Sequence, residues 1–568
     1  MEPRGFSPEV LLTDGPRRRR FAMTDVIRRW RRRNRRVPSL WSPAVVLVVV
    51  LAFGQLTRQA TTISGRVLDA SSNEPLAGAT VLMALIDAPP GTSAPVPVVT
   101  NDRGEFSFVD LPAGRYSLWA RKPRYLSLSY GQRPGSGLPG VSVMLTAGQP
   151  VKDVVIRLPL ASVIAGMITD ARGEPAQGET VQVLRLEWRN GERGARALAT
   201  DTVDDRGHYR IPNLPPGDYL VVAHVSATGS VRPAPTYYPG TPVPTLAIPI
   251  TLGVSEERAG VNVQTSAMVL STVTGTIARE DGRPVRNTRI AATQQVSALR
   301  GFFSQTTYST ADGRFRIDNL PPGRHELLAR EEPNNAASGL WATAEVIADG
   351  NPIKDVVLVL REGETVSGKL VVEGTKPLTF NAQLTLSPLD RDPSNSASFS
   401  ARPDPEGRFS MTGVLPGRYV LIASDVSAGY LIRSVQLDGA EVGDLPIEVG
   451  SSRQIQGLDV RLSPNGASVA GTLFDADGRP NSDLLVIVFP ADDKYWLPGS
   501  TRVRTARPAT DGKYSVRSLP PGSYRVGVVI DAEPGEWFAR PFLQKLAPTA
   551  IAISLSGGES RTLDVRVK

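Results

Sequence analysis

Apolar and polar residues alternate along most of the chain beyond residue 60, in a pattern that recurs about every 100 residues. Each recurrence opens on an alternating strand with glycine at its centre: Ile63 and Val67 around Gly65, Ile164 and Ile168 around Gly166, Val273 and Ile277 around Gly275, Val366 and Leu370 around Gly368, Val469 and Leu473 around Gly471. Period-two alternation predicts a strand with one buried face, and glycine within it marks a bulge or a close approach of two backbones. A proline nine or ten residues later (Pro75, Pro175, Pro284, Pro377, Pro480) ends the strand, because it has no N–H to give to a ladder.

The second half of each unit is more regular. A turn glycine is followed 10 residues later by another, in the pairs Gly104 and Gly114, Gly207 and Gly217, Gly313 and Gly323, Gly407 and Gly417, Gly512 and Gly522. Between them a strand alternates Phe106 and Phe108, Tyr209 and Ile211, Phe315 and Ile317, Phe409 and Met411, or Tyr514 and Val516. After LPAG, LPPG or VLPG a further strand begins with Tyr116, Tyr219, His325, Tyr419 or Tyr524 and stays apolar at every second position. Two alternating strands across so short a turn predict an antiparallel pair. Each unit closes on another alternating strand, such as Val154, Ile156 and Leu158, or Leu458, Val460 and Leu462.

This pattern predicts an all-β chain of five antiparallel β-sandwiches, strung like beads on connectors such as Leu160 to Ser162 and Arg361 to Gly363. The expected divisions are an Arg-rich leader over 1–39, one hydrophobic helix over 40–57, and sandwiches over 60–159, 160–267, 268–363, 364–464 and 465–568.

Charge changes the picture only at the N-terminus. The net +8 is concentrated in residues 1–36, where 12 Arg face four acids, and the remainder balances at 52 basic and 52 acidic residues. The repeats therefore carry no footprint for a nucleic-acid backbone. Ala44 to Phe53 is an apolar run of ten. It fits a secretory core of roughly 7–15 residues, with Ala52-Phe53-Gly54 as a cleavage site before Gln55. Leu40 to Thr57, with Trp41 at the interface, fits an uncleaved anchor equally well. On either reading the Arg-rich end stays in the cytoplasm and the repeats lie outside, at the periplasm or cell surface.

Candidate chemistry is sparse. Cysteine is absent, which removes thiol catalysis, disulfides and Cys-bound zinc. The three histidines, His208, His224 and His325, form no HxxE or HExxH motif. His325 takes a slot that is Tyr in the other four units, which predicts packing. Asp475 and Asp477 resemble the start of a calcium loop, yet Val486 stands at its twelfth position. These acidic turns, like Asp201 to Asp205, read as ordinary Asp-Gly turn chemistry. No catalytic set, cofactor or metal is expected. Aromatics outside the repeating frame, Tyr125, Tyr130, Trp188, Tyr237, Tyr238, Trp341, Trp496 and Trp537, fall in variable loops. They predict either ligand-facing rings suited to polysaccharide or caps and joints between sandwiches.

The strings ISGRVLD (63–69), PLAGATV (75–81), TNDRGEFSF (100–108) and LPAGRYSLWA (111–120) resemble the carboxypeptidase regulatory-like domain, a prealbumin-type sandwich related to collagen-adhesin B-type modules. The later units resemble it less completely: IAGMITD (164–170) with DDRGHYRIPNLPPGDYLV (204–221), VTGTI (273–277) with ADGRFRIDNLPPGRHEL (311–327), VSGKL (366–370) with EGRFSMTGVLPGRY (406–419), and VAGTL (469–473) with DGKYSVRSLPPGSY (511–524). The resemblance implies non-catalytic accessory modules of exported proteins, used for spacing, adhesion to an envelope protein or carbohydrate binding. Adhesin-type relatives also carry a Lys–Asn crosslink from the first strand; here only Lys369 stands on an opening strand.

Overall fold

The structure is a computed structural model. It describes residues 61–567 apart from 87, 89–95, 225–234, 266–269, 296–303, 332–338, 375–381, 390–398, 427–429 and 451–453. The leader and the apolar segment over 40–57 lie outside the described residues.

One strand plan recurs five times. The opening strands, Thr61–Asp69, Ser162–Thr169, Ser271–Arg279, Glu364–Val372 and Ala467–Phe474, each lie between two neighbours. One is antiparallel: Glu105–Leu111, His208–Leu214, Arg314–Leu320, Arg408–Val414 or Lys513–Leu519. The other is the closing strand and runs parallel, as Val151–Leu158, Ile353–Glu362 and Ile455–Ser463 do. The chain is all-β and most ladders are antiparallel, but each opening strand has this parallel contact.

The Pro-Gly turn does not make a hairpin. Glu105–Leu111 pairs with the opening strand, whereas Gly114–Arg121 pairs with Thr80–Leu85 in the opposite sheet, and the other four units repeat this division. The expected antiparallel pair is thus corrected to a crossing between sheets. Two-residue hairpins require left-handed central residues, which proline, fixed near φ −65°, does not supply. A left-handed residue just before the turn (Asp110, Asn213, Asn319, Gly413, Ser518, at φ 58–71°) instead bulges the strand and turns it out of its ladder.

The crossing is pinned from its far side. The hydroxyl of Tyr116 donates to the Pro112 carbonyl at 2.8 Å, Tyr219 to Pro215 at 2.5 Å, Tyr419 to Leu415 at 2.8 Å and Tyr524 to Pro520 at 2.7 Å. His325 Nε2 stands 2.8 Å from the Pro321 carbonyl. A carbonyl only accepts, so Nε2 carries the proton. The rings are buried, with the polar tip bound to backbone, and His325 packs as its slot predicts.

Between the two sheets each sandwich has its own apolar core. Ile63, Val67, Phe106, Phe108, Tyr116, Leu118 and Ala120 fill the first, and the corresponding alternating positions fill the others. Only Ala423 and Val528, at strand ends, are half-buried. In the third unit, pairing of Leu340 with Glu362 and Trp341 with Arg361 joins both layers into one seven-stranded sheet.

The opening glycine is required by the parallel neighbour. A Cβ on Gly65 would lie 1.9 Å from the Val154 carbonyl oxygen, and at Gly166, Gly275, Gly368 and Gly471 the corresponding carbonyl would be at 1.8–2.1 Å. The residue before that carbonyl is left-handed in four units (Asp153, Gly260, Asp355, Gly457), and the ladder shifts register there.

Gly65→Ala should therefore destabilise the first sandwich by roughly 3 kcal/mol or more. Gly173→Ala, left-handed at φ 85° with nothing within 4 Å, should cost only about 1 kcal/mol. Urea unfolding of the full chain compares the two, and equal losses would refute the carbonyl contact.

Burial pushes the His325 imidazole below its ordinary value, with the Pro321 carbonyl opposing in part. The unfolded chain therefore binds the proton more readily. Stability of the third sandwich is full above the unfolded value near 6.5 and falls by up to about 1.4 kcal/mol per pH unit until the lowered folded value is passed. His325→Tyr should remove this component. Calorimetry of both chains at pH 7.5 and at mildly acidic pH checks it.

Candidate interaction surfaces

The turn carboxylates are occupied by the backbone that folds around them. Asp204 Oδ1 accepts the N–H groups of Arg206 and His208 at 3.0 and 2.7 Å, and Asp475 Oδ1 accepts that of Arg479 at 2.8 Å. The His208 N–H, aided by that of Arg206, holds the Asp204 carboxyl below its usual range, with desolvation opposing in part. Asp69 Oδ1 accepts from the Ser71 hydroxyl and from the Ser71 and Ser72 amides, while Oδ2 accepts the Tyr125 hydroxyl at 3.0 Å. Those bonds, the Ser71 hydroxyl first, hold Asp69 far below the carboxylate range. Among the described residues no three His, Asp or Glu gather in metal-binding geometry. His208 is exposed, His224 half-buried and His325 buried, each in its own setting. Lys369 is exposed, in register with Arg408 and Asp459.

The aromatics outside the repeat go to joints and covers. Tyr237, 1% exposed, packs with Leu184, Leu220 and Val222 on the outer face of the second sandwich, and Tyr238 beside it is half-buried against the core. Trp496, 8% exposed, donates from Nε1 to the Pro490 carbonyl at 2.9 Å and meets Phe489 edge-on at 5.9 Å. Tyr237 and Trp496 therefore offer no free ring, which corrects their reading as ligand-facing. Trp188 and Trp537 are half-buried: the tip of the Thr180–Arg189 hairpin meets the turn at 535–538 so closely that a Cβ on Gly535 would lie 2.8 Å from the Trp188 carbonyl. Trp341, from the third sandwich, packs on the core of the fourth with its Nε1 buried, and lines an open cleft of 670 Å³ with Arg279, Arg361, Glu362, Glu364 and Pro416. Tyr125 and Tyr130 pack on the first core, and Tyr125 bridges to Leu160 where the second unit begins.

The expected string of beads is corrected here as well. Arg502 reaches from the fifth sandwich to Asp444 of the fourth at 2.7 Å, with the two side chains only 11% and 10% exposed, and lies 4.7 Å above the Tyr495 ring. Leu138 of the first unit belongs to a cluster with Leu485, Ile487 and Phe489 of the fifth. Arg507 donates to the carbonyls of Pro139 and Gly131 at 2.5 and 2.8 Å. The signal for this second cluster stood in the sequence. Leu485–Pro490 is apolar at consecutive positions and is buried on both faces, where a strand with one wet face alternates.

The structure resembles several solved pilins, each at low overall superposition. A minor pilin of Streptococcus agalactiae is 16% identical, covering 37% of this chain and 96% of its own, with a TM-score of 0.23. A streptococcal ancillary pilin is 13% identical over 53% of this chain and 99% of its own, with a TM-score of 0.20. The major pilin subunit of Bacillus cereus is 10% identical over the same shares, with a TM-score of 0.14. Such values carry no function across. No curated protein sequence matches the chain. Residues 62–159 and 272–340 match the model of the carboxypeptidase regulatory-like domain. The first and third units thus match the carboxypeptidase regulatory-like domain, and the strand plan and glycine contact of the first recur in the other units.

Proposed function

We propose that this is an exported, non-enzymatic protein of the cell envelope, in which five regulatory-like sandwiches divided near 159, 267, 363 and 464 form a structural and interaction body. One observation carries the reading: the residues that recur are consumed by folding. The tyrosines bind the carbonyl four residues back, the glycines admit a neighbouring strand, and several of the turn acids and amides cap their own loops. What is left for a partner is the variable loops, as in many β-sandwich proteins. The basic leader and apolar segment support export. Among the described residues no helix is long and apolar enough to cross a membrane.

A second reading, polysaccharide binding, is favoured by the cleft beside Trp341, where an indole edge, arginines and carboxylates line one open space. Planar polar groups beside an aromatic ring suit sugar hydroxyls and C–H faces.

Fractionation followed by N-terminal sequencing of the mature chain tests export. The expected result is an envelope protein starting at Gln55 or retaining the 40–57 segment, and a cytoplasmic chain would refute it. Pull-down on insoluble polysaccharides, with and without Trp341→Ala and Trp188→Ala, separates the two readings. Retention lost at least about tenfold in Trp341→Ala alone supports the cleft. Absence of retention in every chain leaves the structural reading standing.

A further inference from the structure

We infer that the fifth sandwich carries a docking surface whose occupant is the 131–142 loop of the first, and that this contact is a latch closing the chain on itself. Leu138 is 1% exposed, yet its apolar company is Leu485, Ile487, Phe489, Val503, Leu543 and Leu546, all from the fifth unit. The wall that receives it is built for cover. Strand Leu485–Pro490 is buried on both faces, whereas its counterparts Thr80–Leu85 and Gln383–Pro388 alternate. Helix Arg540–Leu546 supplies Leu543 and Leu546 from the other side.

Polar contacts fix the seat around that plug. The Arg507 guanidinium is oriented by its own sandwich, Nε donating to Ser482 O at 3.0 Å, and its two outer nitrogens donate to the carbonyls of Pro139 and Gly131. The Thr510 amide donates to Ser142 O at 3.1 Å. Gly137 lies against the Pro534 ring with no space for a Cβ, which would fall 1.6 Å from Cδ. Directional bonds to backbone carbonyls recognise the path of the loop and not its side chains, and they require a loop already held in shape. It is so held: Tyr130 N–H donates to Leu118 O at 2.8 Å and Val141 N–H to Tyr130 O at 2.7 Å, within the first sandwich.

Neither core includes the contact, because the first and fifth sandwiches each complete their own cluster without Leu138. The latch can therefore open with both sandwiches folded. Closed, the chain holds its first and fifth units side by side; open, it extends its reach. The two states share every intra-sandwich hydrogen bond and differ in this seat and in the neighbouring contacts of the second unit with the fifth, at residues 535–538 and where Gly499 meets Asn190.

Small-angle scattering of the full chain tests the latch. The double variant Leu138→Asp with Arg507→Ala should raise the radius of gyration by at least about a quarter over the wild type, as a compact body becomes a string. An unchanged radius in a double variant that retains its β-sheet circular dichroism overturns the proposal. Should that variant fail to fold, Arg507→Ala alone is read by amide hydrogen exchange at Thr510. Exchange accelerated at least about tenfold is expected, and unaltered protection overturns the latch. Both readouts are independent of what the envelope partner is.

Discussion

Each closing strand reaches its place only because the opening strand offers it a position without a side chain. The Val154 carbonyl occupies the space a Cβ on Gly65 would take, and the same holds at Gly166, Gly275, Gly368 and Gly471. A parallel neighbour cannot follow by a tight turn, so the chain between the two strands must leave the sheet and return. That excursion is the second sheet. The close approach thus forces a two-layer body, and the crossing at Leu-Pro-x-Gly is how the chain leaves. Its tyrosine hydroxyl, bound to the carbonyl four residues back, satisfies a buried oxygen that would otherwise be orphaned at the corner.

Much of this was legible in the alternation. Period two placed Phe106, Phe108, Tyr116 and Leu118 in the core, and their equivalents followed. The glycine inside the strand correctly announced a close backbone contact. What misled was the shortness of the Pro-Gly turn, because length alone suits a hairpin and a crossing equally. The discriminating signal was one residue earlier. Asp110, Asn213, Asn319, Gly413 and Ser518 are residues that tolerate a left-handed backbone, and a bulge there breaks the ladder a hairpin would need. The turn that precedes this strand is capped from further upstream than its acid-and-glycine pair. Asn101, Asp204 and Asp404, rather than the acid beside the glycine, accept the turn amides.

The candidate rings were found by exclusion from the repeat, and exclusion identifies variable loops without saying what they touch. A lone aromatic in a loop has the same sequence signature whether it meets a sugar or another sandwich. The information that decides between them is non-local. Trp188 meets residues more than 340 positions away, and Leu138 likewise, so no window of sequence displays the pairing. One local trace did exist, in the unbroken apolar run Leu485 to Phe489. A sheet face that should be wet but reads apolar must be covered, and here Leu138 and helix Arg540–Leu546 cover it.

The polar contacts at the joints are suited to orientation more than to strength. Arg502 and Asp444 are both withdrawn from water, and the desolvation of two such charges offsets most of their attraction. Their geometry is nevertheless demanding. The guanidinium bonds Asp444 with Nε, bonds the Pro521 carbonyl with Nη1 and lies over the Tyr495 ring, while Thr501 takes the other carboxylate oxygen. Pro521 and Tyr495 belong to the same sandwich as Arg502 and fix its guanidinium, so the Asp444 carboxylate is met by two oriented donors, Arg502 and Thr501. Apolar contact between sandwiches, by contrast, tolerates sliding and rotation, since burial depends on area and not on direction. A chain whose repeats are nearly interchangeable inside acquires a definite arrangement from such few, unrepeated, directional bonds, and it is in those unrepeated residues that its individuality is encoded.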